Sequence, residues 1–401
     1  MKVGIFDPLL KDKGHHLQFN LHVAKLFSFD INTIVFLDIG ETLKNNMAKF
    51  KTQVKDIKID CVNISSEPCP SNQINKGAGE ISNKYLLFGR RVKWYKNIFK
   101  RIESLNLDFV VFTSEGSPAM FISTPKFKYM TIVHFSLNLK KNKKSLLQIV
   151  LMSLSNRLLK RFLAKAQKIF ALEPFLVDEI RECGFENVDY MPCKCFVGAN
   201  SASESVIQRN DAHFSLLTIG GIYEGKGIEF VLEAYDRHKL NIPYKIVGFP
   251  IGEYGEFIIK KARETKAKGC PIETRFEYVT NDEFVGLIQK ADFIVLPYDE
   301  MASSGYFGAS QLFYDSIEQS TPIIAPAIEP FKAHFRNYEI GIMYKPGDAT
   351  SFVDAIRRAE KTGKSVFRNN LEHFRREYAY DLWKNKMKTM LEKGKCYGKN
   401  N

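Results

Sequence analysis

The stretch TIGGIYEGKGIEFVLEAY, residues 218–235, passes from an apolar run through a glycine-rich loop into a helical pattern. Its apolar start predicts a buried strand ending at Gly220, and the apolar spacing after Lys226 predicts a helix. Exposed amides beside Gly220 and Gly221, at the start of a helix and next to a lysine, suit an anion. The alternative interpretation is an ordinary strand–turn–helix connection with a solvated lysine.

The same alternation of strand and helix extends in both directions from this stretch. Apolar runs predict strands at 2–6, 32–38, 108–113, 129–135, 167–172, 214–220, 244–249, 274–280, 291–298 and 321–326. Strands that are apolar throughout, with helices between them, are typical of parallel sheets covered on both faces. We therefore expect an α/β protein with two doubly wound, Rossmann-like domains and a ligand in the cleft between them.

A polar, serine-rich segment without periodicity divides the two halves and predicts a linker at 196–212. The predicted domains are then residues 1–195 and 213–375, and the terminal segment 376–401 predicts a helix.

Composition limits the class of protein. Apolar residues make up 45% of the 401 residues, which excludes a disordered chain. Lys and Arg number 58 against 45 Asp and Glu, and the net charge of +13 favours an anionic partner: nucleic acid, a membrane surface or a phosphorylated substrate. The seven cysteines match no zinc spacing and indicate reduced thiols. No apolar run reaches the about 20 residues that span a bilayer, so we expect a soluble or peripheral protein inside the cell.

A second candidate anion site lies in PYDEMASSGYFGAS, residues 297–310, between a predicted strand and a predicted helix. Ser303, Ser304 and Gly305 supply hydroxyls and unobstructed backbone amides. A surface loop capped by serine is the alternative.

The order of these segments resembles the group 1 retaining glycosyltransferases of GT-B fold, which include bacterial polysaccharide and lipid-linked sugar transferases. The matching segments are GGIYEGKG (220–227), IVG (246–248), FEYVTNDEF (276–284), ADFIVLPY (291–298) and STPIIAP (320–326). The resemblance implies a UDP-sugar or GDP-sugar donor whose base lies near Tyr278 and Val279. Its diphosphate would lie on the 220–226 and 303–305 loops, where Lys226 acts in catalysis and no metal is required.

The chain departs from the family pattern at two places. The family arginine after the first glycine is Gly221 here. Of the two family glutamates, the second falls on Asp315, which can accept hydrogen bonds from ribose hydroxyls. The first falls on Phe307, which cannot contact the transferred sugar as a carboxylate does.

The first half resembles the acceptor domain of the family. Gly14, His15 and His16 fall in the loop after the first strand and are candidate acceptor-binding residues; a helix start without a role is the alternative. His134 ends a strand where the family often has a catalytic histidine, although a satisfied buried histidine is equally compatible. Glu115 ends another strand, either to orient an acceptor hydroxyl or to cap a helix.

Two basic stretches, 84–101 and 139–168, contain seven and nine Lys or Arg and no acidic residue. Aromatic and apolar residues among these charges suit an anionic membrane, single-stranded nucleic acid or a solvated helix face. The resemblance favours the membrane over nucleic acid. It also implies that the terminal helix, with Trp383, returns to the first domain.

These observations predict a retaining glycosyltransferase of the hexosyltransferase type. It would transfer a sugar to a saccharide or lipid-linked acceptor in cell-surface polysaccharide synthesis, in the cytoplasm and peripherally on the inner face of the membrane. The alternatives are a nucleotide-sugar epimerase of the same architecture and a catalytically silent module that binds membranes or nucleic acid.

Overall fold

The computed structural model describes residues 1–8, 16–29, 31, 33–39, 43, 47, 51, 58–65, 70, 80–114, 117–134, 146–197, 214–299, 310–329 and 331–397. These residues form two compact units. The first contains the described residues up to Pro192 and those from Tyr380 onward, and the second contains those of Cys193–Ala379. Most of the predicted linker lies outside the described residues.

The first unit is built on a seven-stranded parallel sheet with the order β3-β2-β1-β4-β5-β6-β7. Its strands are β1 (Lys2–Phe6), β2 (Thr33–Ile39), β3 (Lys58–Ser65), β4 (Phe109–Phe112), β5 (Tyr129–Val133), β6 (Lys168–Ala171) and β7 (Val188–Tyr190). In register, Val3 of β1 lies opposite Ile34 of β2 and Phe109 of β4. Nearly every residue of the central strands is buried, because helices cover both faces of such a sheet.

The helices of the first unit are α1 (His16–Leu26), α2 (Glu80–Glu103), α3 (Pro118–Ser123), α4 (Leu146–Leu163), α5 (Pro174–Glu182) and the terminal helix α13 (Tyr380–Tyr397). Trp383 of α13 is buried against Tyr190, with the two ring centroids 5.3 Å apart. The hydroxyl of Tyr380 donates to the carbonyl of Lys25 at the end of α1. The last helix of the chain therefore packs on the unit with which the chain begins.

The second unit is built on a six-stranded parallel sheet with the order β10-β9-β8-β11-β12-β13. Its strands are β8 (Leu216–Ile219), β9 (Tyr244–Val247), β10 (Ile272–Arg275), β11 (Phe293–Val295), β12 (Ile323–Pro326) and β13 (Gly341–Tyr344). Its helices are α6 (Ile228–His238), α7 (Gly252–Ala267), α8 (Asn281–Lys290), α9 (Gln311–Glu318), α10 (Phe331–Phe335), α11 (Ala349–Thr362) and α12 (Arg368–Glu377). The predicted doubly wound fold is confirmed in both sheets.

Two predicted strands are wrong in their extent, and one of them, 291–298, is observed only as Phe293–Val295. The expected strand 274–280 is observed as Ile272–Arg275, because only these four residues pair with β9. Thr280, instead of ending a strand, caps helix α8: its hydroxyl accepts from the amide of Glu283, whose carboxylate accepts from the amide of Thr280. Strands β3 and β7, at the two edges of the first sheet, were not predicted.

Within the described parts of the chain, no helix is long and apolar enough to cross a membrane.

Candidate functional site

The loop after β8 continues the pairing of the second sheet beyond its strands. The amide of Ile222 donates to the carbonyl of Phe249 at 3.0 Å, and the amide of Ile251 donates back to the carbonyl of Ile222 at 2.9 Å. Gly220 has a φ of +115° and Gly248 a φ of +149°. A Cβ at Gly248 would lie 1.7 Å from the carbonyl oxygen of Gly220, so the two loops approach too closely for any side chain there.

The loop after β8 also contacts the loop after the neighbouring strand β11. Gly227 begins helix α6 with a φ of +65°, and a Cβ there would lie 1.8 Å from the carbonyl oxygen of Pro297. The amide of Asp299 donates to the carbonyl of Gly225 at 3.1 Å. The two glycine-containing segments singled out in the sequence therefore begin side by side at the carboxyl edge of this sheet.

Lys226 lies between these two loops and is only 8% exposed. Its Nζ donates to the hydroxyl of Tyr298 at 2.8 Å and lies 4.5 Å from the Tyr298 ring centroid and 5.1 Å from that of Tyr223. Burial lowers the pKa of Lys226, but the oxygens of Tyr298 and Tyr223 raise it, and the net shift is upward. Among the residues that the structure describes, no carboxylate pairs with this ammonium, which is therefore a buried cation suited to an anion.

Tyr298 connects Lys226 to the start of helix α9. Its hydroxyl lies 3.1 Å from the Oγ of Ser310, which caps the helix by accepting from the amide of Phe313 at 3.3 Å. The helix N-terminus adds a partial positive charge close to the lysine. The predicted residues Ser303, Ser304 and Gly305, together with Phe307, lie outside the described residues.

Asp315 lies one turn further along α9 and is already hydrogen-bonded. Its Oδ1 accepts from the Nζ of Lys194 at 2.7 Å and from the Nε2 of Gln311 at 3.0 Å. Lys194 also contacts Glu318 at 2.6 Å. Burial lowers the pKa of Lys194, but the carboxylates of Asp315 and Glu318 raise it by more, so the net shift is upward. This lysine could not be identified from the sequence, because its partners are more than 100 residues away.

Aromatic and apolar side chains form an exposed surface at the same edge of the second sheet. Tyr278 is 72% exposed, and its ring centroid lies 5.9 Å from that of Phe249. A Cβ on Gly221 would lie 3.4 Å from Tyr223 and 3.5 Å from both Ile251 and Phe249. The position where the resembled family has an arginine is thus surrounded by apolar groups, while Val279 is buried.

In the first unit, a buried polar network occupies the carboxyl edge of the sheet. Asp7, just after β1, accepts from the Nδ1 of His16 at 2.9 Å, the Nδ2 of Asn20 at 3.0 Å and the Oγ of Ser114 at 2.8 Å. The Oδ1 of Asn20 in turn accepts from the hydroxyl of Thr113 at 2.7 Å. Three donors converging on one buried carboxylate fix its orientation and that of the His16 ring.

His134, just after β5, joins the same edge. Its Nε2 lies 2.6 Å from the carbonyl oxygen of Thr113, and its ring packs edge-on against Phe19 at 5.0 Å between centroids. His16 and His134 therefore lie at one edge of the first sheet, as their positions in the sequence predict. Gly14, His15 and Glu115 lie outside the described residues. Asp7 and Asn20, which organise the edge, were missed.

Among the described residues, no cluster of His, Cys, Asp and Glu could hold a metal ion. The described part of the second-unit edge instead offers positive charge from Lys226 and from helix N-termini.

Comparison with known proteins identifies the family of the second unit. Residues 202–380 match the family described as group 1 glycosyl transferases. No curated protein matches the sequence. The resemblance deduced from the motifs is thus confirmed: the chain carries a group 1 glycosyltransferase domain, and the predicted enzyme class, glycosyltransferase, is confirmed with it.

Solved structures resemble the chain over nearly its whole length. A glycosyltransferase from Rickettsia africae has 16% identity and a TM-score of 0.62, covering 100% of this chain and 99% of its own. HepE from Anabaena in complex with UDP has 12% identity and a TM-score of 0.62, covering 98% and 100%. A structure described as trehalose-6-phosphate from E. coli bound with UDP-2-fluoro glucose has 7% identity and a TM-score of 0.67, covering 97% and 98%. These similarities confirm the predicted GT-B fold.

Proposed function

We propose that this protein transfers a sugar from a nucleoside diphosphate sugar to a saccharide or lipid-linked acceptor, with retention of configuration, in cell-surface polysaccharide synthesis. The observation that carries the proposal is the buried ammonium of Lys226, which no described carboxylate neutralises. A buried charge without a counter-ion is costly. A bound diphosphate would provide that counter-ion at the point where two glycine-containing loops meet.

The arrangement around Lys226 suits the leaving group of such a transfer. As the bond from the sugar to the diphosphate breaks, negative charge accumulates on the diphosphate oxygens. Lys226 and the N-termini of α6 and α9 would stabilise that charge, and one such interaction is typically worth about 3–4 kcal/mol. The acceptor oxygen bonds to the sugar carbon while the diphosphate leaves with the electron pair and takes the acceptor proton. This chemistry requires no metal from the protein.

The exposed rings of Tyr278 and Phe249 support a site for the nucleobase. They lie at the edge of the sheet that carries Lys226, and aromatic side chains stack on bases of any kind. Two of the similar solved structures contain UDP or a UDP-sugar analogue, which favours UDP over GDP as the donor nucleotide. Asp315 keeps a second carboxylate oxygen, Oδ2, with which a ribose hydroxyl would interact.

The first unit would bind the acceptor at the edge that carries Asp7, His16 and His134. Its imidazole, oriented by the buried carboxylate of Asp7, suits the hydroxyl groups of a saccharide. Gly14, His15 and Glu115 remain candidate acceptor-side residues. The proposal includes a cytoplasmic site of action at the inner face of an anionic membrane, where a lipid-linked acceptor is presented.

Calorimetric titration of the full chain with UDP and GDP tests the donor site. We expect saturable UDP binding that weakens about tenfold in Tyr278→Ala, since stacking is worth about 1–3 kcal/mol per base. Phe257→Ala is the matched control, because Phe257 is an exposed aromatic residue elsewhere in the same unit. Failure of both nucleotides to bind would refute the proposed donor site.

A further inference from the structure

Positive charge in this chain is concentrated in two stretches of the first half of the sequence. Residues 81–102 and 117–172 contain 18 of the 58 Lys and Arg and none of the 45 Asp and Glu. The rest of the chain has 40 basic and 45 acidic residues, a net charge of −5. The net positive charge of the protein therefore comes from these two stretches and not from the rest of the chain.

The two stretches include three helices that pack side by side. The Oγ of Ser123 in α3 donates to the carbonyl of Val92 in α2 at 3.1 Å. On its other side, Phe121 of α3 packs against Phe162 of α4 with ring centroids 5.3 Å apart. We refer to α2, α3 and α4 together as the three-helix layer.

Most of the described cations of the three-helix layer are exposed to solvent. Those of α2 and α4 that are exposed include Arg90, Lys93, Lys96, Arg157, Lys160 and Arg161. Within the described parts of the chain, none of these six forms an ion pair with a carboxylate. Exposed cations without counter-ions are available to an external anionic partner.

Among the side chains that the structure describes, each helix of the layer also exposes one that is large and apolar. Phe88 in α2 is 38% exposed, Ile122 in α3 is 41% exposed and Leu154 in α4 is 53% exposed. Phe88 lies one helical turn before Val92, and Ile122 is adjacent to Ser123, which contacts Val92. Helices that expose both apolar side chains and unpaired cations match a lipid surface, where the apolar groups enter the headgroup region and the cations meet lipid phosphates.

The aromatic residues of α2 decide between a membrane and a nucleic acid. Trp94, Tyr95 and Phe99 alternate with basic residues in the sequence, which by itself suits base stacking. In the structure all three are buried in the core of the first unit. They are therefore not available to stack on bases, which leaves Phe88 as the one exposed aromatic side chain among those described in α2, too few for the series of rings on which a single strand stacks. The layer keeps the charge and the exposed apolar side chains that a bilayer requires.

We propose that the three-helix layer docks onto an anionic lipid bilayer, with Phe88, Ile122 and Leu154 in the headgroup region. The inference rests on the proposed function in one respect only: access to a lipid-linked acceptor would be the reason for the protein to bind the membrane. The docking itself requires neither donor nor acceptor. Each cation near an anionic membrane contributes about 1 kcal/mol, roughly a factor of five in partitioning.

Co-sedimentation of the full chain with lipid vesicles tests the proposal. We compare vesicles of equal parts phosphatidylcholine and phosphatidylglycerol with vesicles of phosphatidylcholine alone. The test variant is Arg90→Gln/Lys93→Gln/Lys96→Gln, for which three lost cations predict about a hundredfold weaker partitioning. The control is Lys260→Gln/Arg263→Gln/Lys266→Gln, which removes three exposed cations from α7 of the second unit and should partition like the wild type.

A further variant, Leu154→Gln, separates insertion from simple charge attraction. It changes an exposed residue, so folding is preserved, and it should weaken the part of the binding that persists at high salt. Binding that is equal for the test and control variants, or that needs no anionic lipid, would overturn the proposal. So would tight binding of single-stranded RNA by a protein that ignores vesicles. Loss of UDP binding with vesicle binding intact would refute the donor site alone.

Discussion

The Nζ of Lys226 lies 2.8 Å from the hydroxyl oxygen of Tyr298, and each residue belongs to a different loop at the edge of the second sheet. The lysine follows β8 and the tyrosine follows β11, two strands that are neighbours in the sheet. The phenol solvates the buried ammonium without neutralising it. The positive charge is therefore held in place before any anion arrives, which lowers the cost of reorganisation during transfer.

Replacing this lysine should remove catalysis while sparing the fold. Lys226→Ala deletes the buried cation, so we expect donor-dependent turnover to fall at least tenfold with little loss of thermal stability. Turnover with a UDP-sugar and the melting temperature are the two measurements. Lys260→Ala, on the exposed surface of the same unit, should leave both unchanged. Unaltered turnover in Lys226→Ala would exclude the diphosphate site proposed for this loop.

Gly227 should tolerate no side chain. Alanine there must adopt a left-handed conformation, which costs about 1–2 kcal/mol, and its Cβ would overlap the carbonyl oxygen of Pro297. We expect Gly227→Ala to weaken UDP binding and to destabilise the second unit by at least 2 kcal/mol in urea unfolding. Gly286→Ala, in the middle of α8 with open space around it, should be neutral or slightly stabilising. Equal effects of the two variants would show that the two loops are not in contact.

Lys194 should stabilise the second unit up to alkaline pH. Its pKa is raised in the folded protein by Asp315 and Glu318, against the lowering effect of burial. Its contribution is therefore complete below the unfolded pKa of about 10.4 and is lost as the pH rises through the higher folded pKa. Lys194→Met should cost about 1–3 kcal/mol at neutral pH, because Asp315 loses its cation.

Urea unfolding across the alkaline range checks this dependence. The difference between the wild type and Lys194→Met should stay constant from neutral pH to about pH 10 and shrink above it. Lys260→Met, whose partner Glu264 is exposed and 3.9 Å away, should show no measurable difference. A difference for Lys194→Met that grew with increasing pH would contradict the ion-pair interpretation.

Asp7 should be required for acceptor binding and not for donor binding. Asparagine at this position can no longer accept from all three donors, and leaving one buried donor unpaired costs about 1–3 kcal/mol. We expect Asp7→Asn to lower the stability of the first unit and to raise the KM for the acceptor, with UDP affinity unchanged. Asp178→Asn, on the exposed side of α5, is the control. A loss of UDP affinity with an unchanged KM for the acceptor would contradict the proposed role of Asp7 in acceptor binding.

The sequence predicts the sheets well because buried parallel strands are uniformly apolar. The runs at 2–6 and 32–38 are observed within one residue of the predicted bounds. The prediction of a strand at 274–280 was wrong because the aromatic residues of this run do not pair in the sheet. Tyr278 lies exposed on the edge of the sheet, and Thr280 caps a helix. Strand β3 was missed because it alternates polar and apolar residues at the edge of its sheet.

The side-chain networks could not be predicted in the same way. Asp7 and Ser114 are 107 residues apart, and Lys194 and Asp315 are 121 residues apart. Neither Asp7 nor Lys194 belongs to a local pattern, since each is positioned by a partner from another strand or helix. The positions of residues at strand ends, such as His134 and Lys226, could be predicted because they follow from the strands alone.

The unequal distribution of charge has a consequence for the protein in dilute solution. A basic helical layer on a chain whose remainder is weakly acidic gives the molecule a permanent electric dipole moment. At low ionic strength the net charge of +13 makes two copies repel each other, whereas the basic layer is attracted to any anionic surface that the molecule approaches. Added salt screens that attraction within about 8 Å at physiological strength. Retention on a cation exchanger that weakens steadily as salt is added would be the behaviour of such a dipolar molecule.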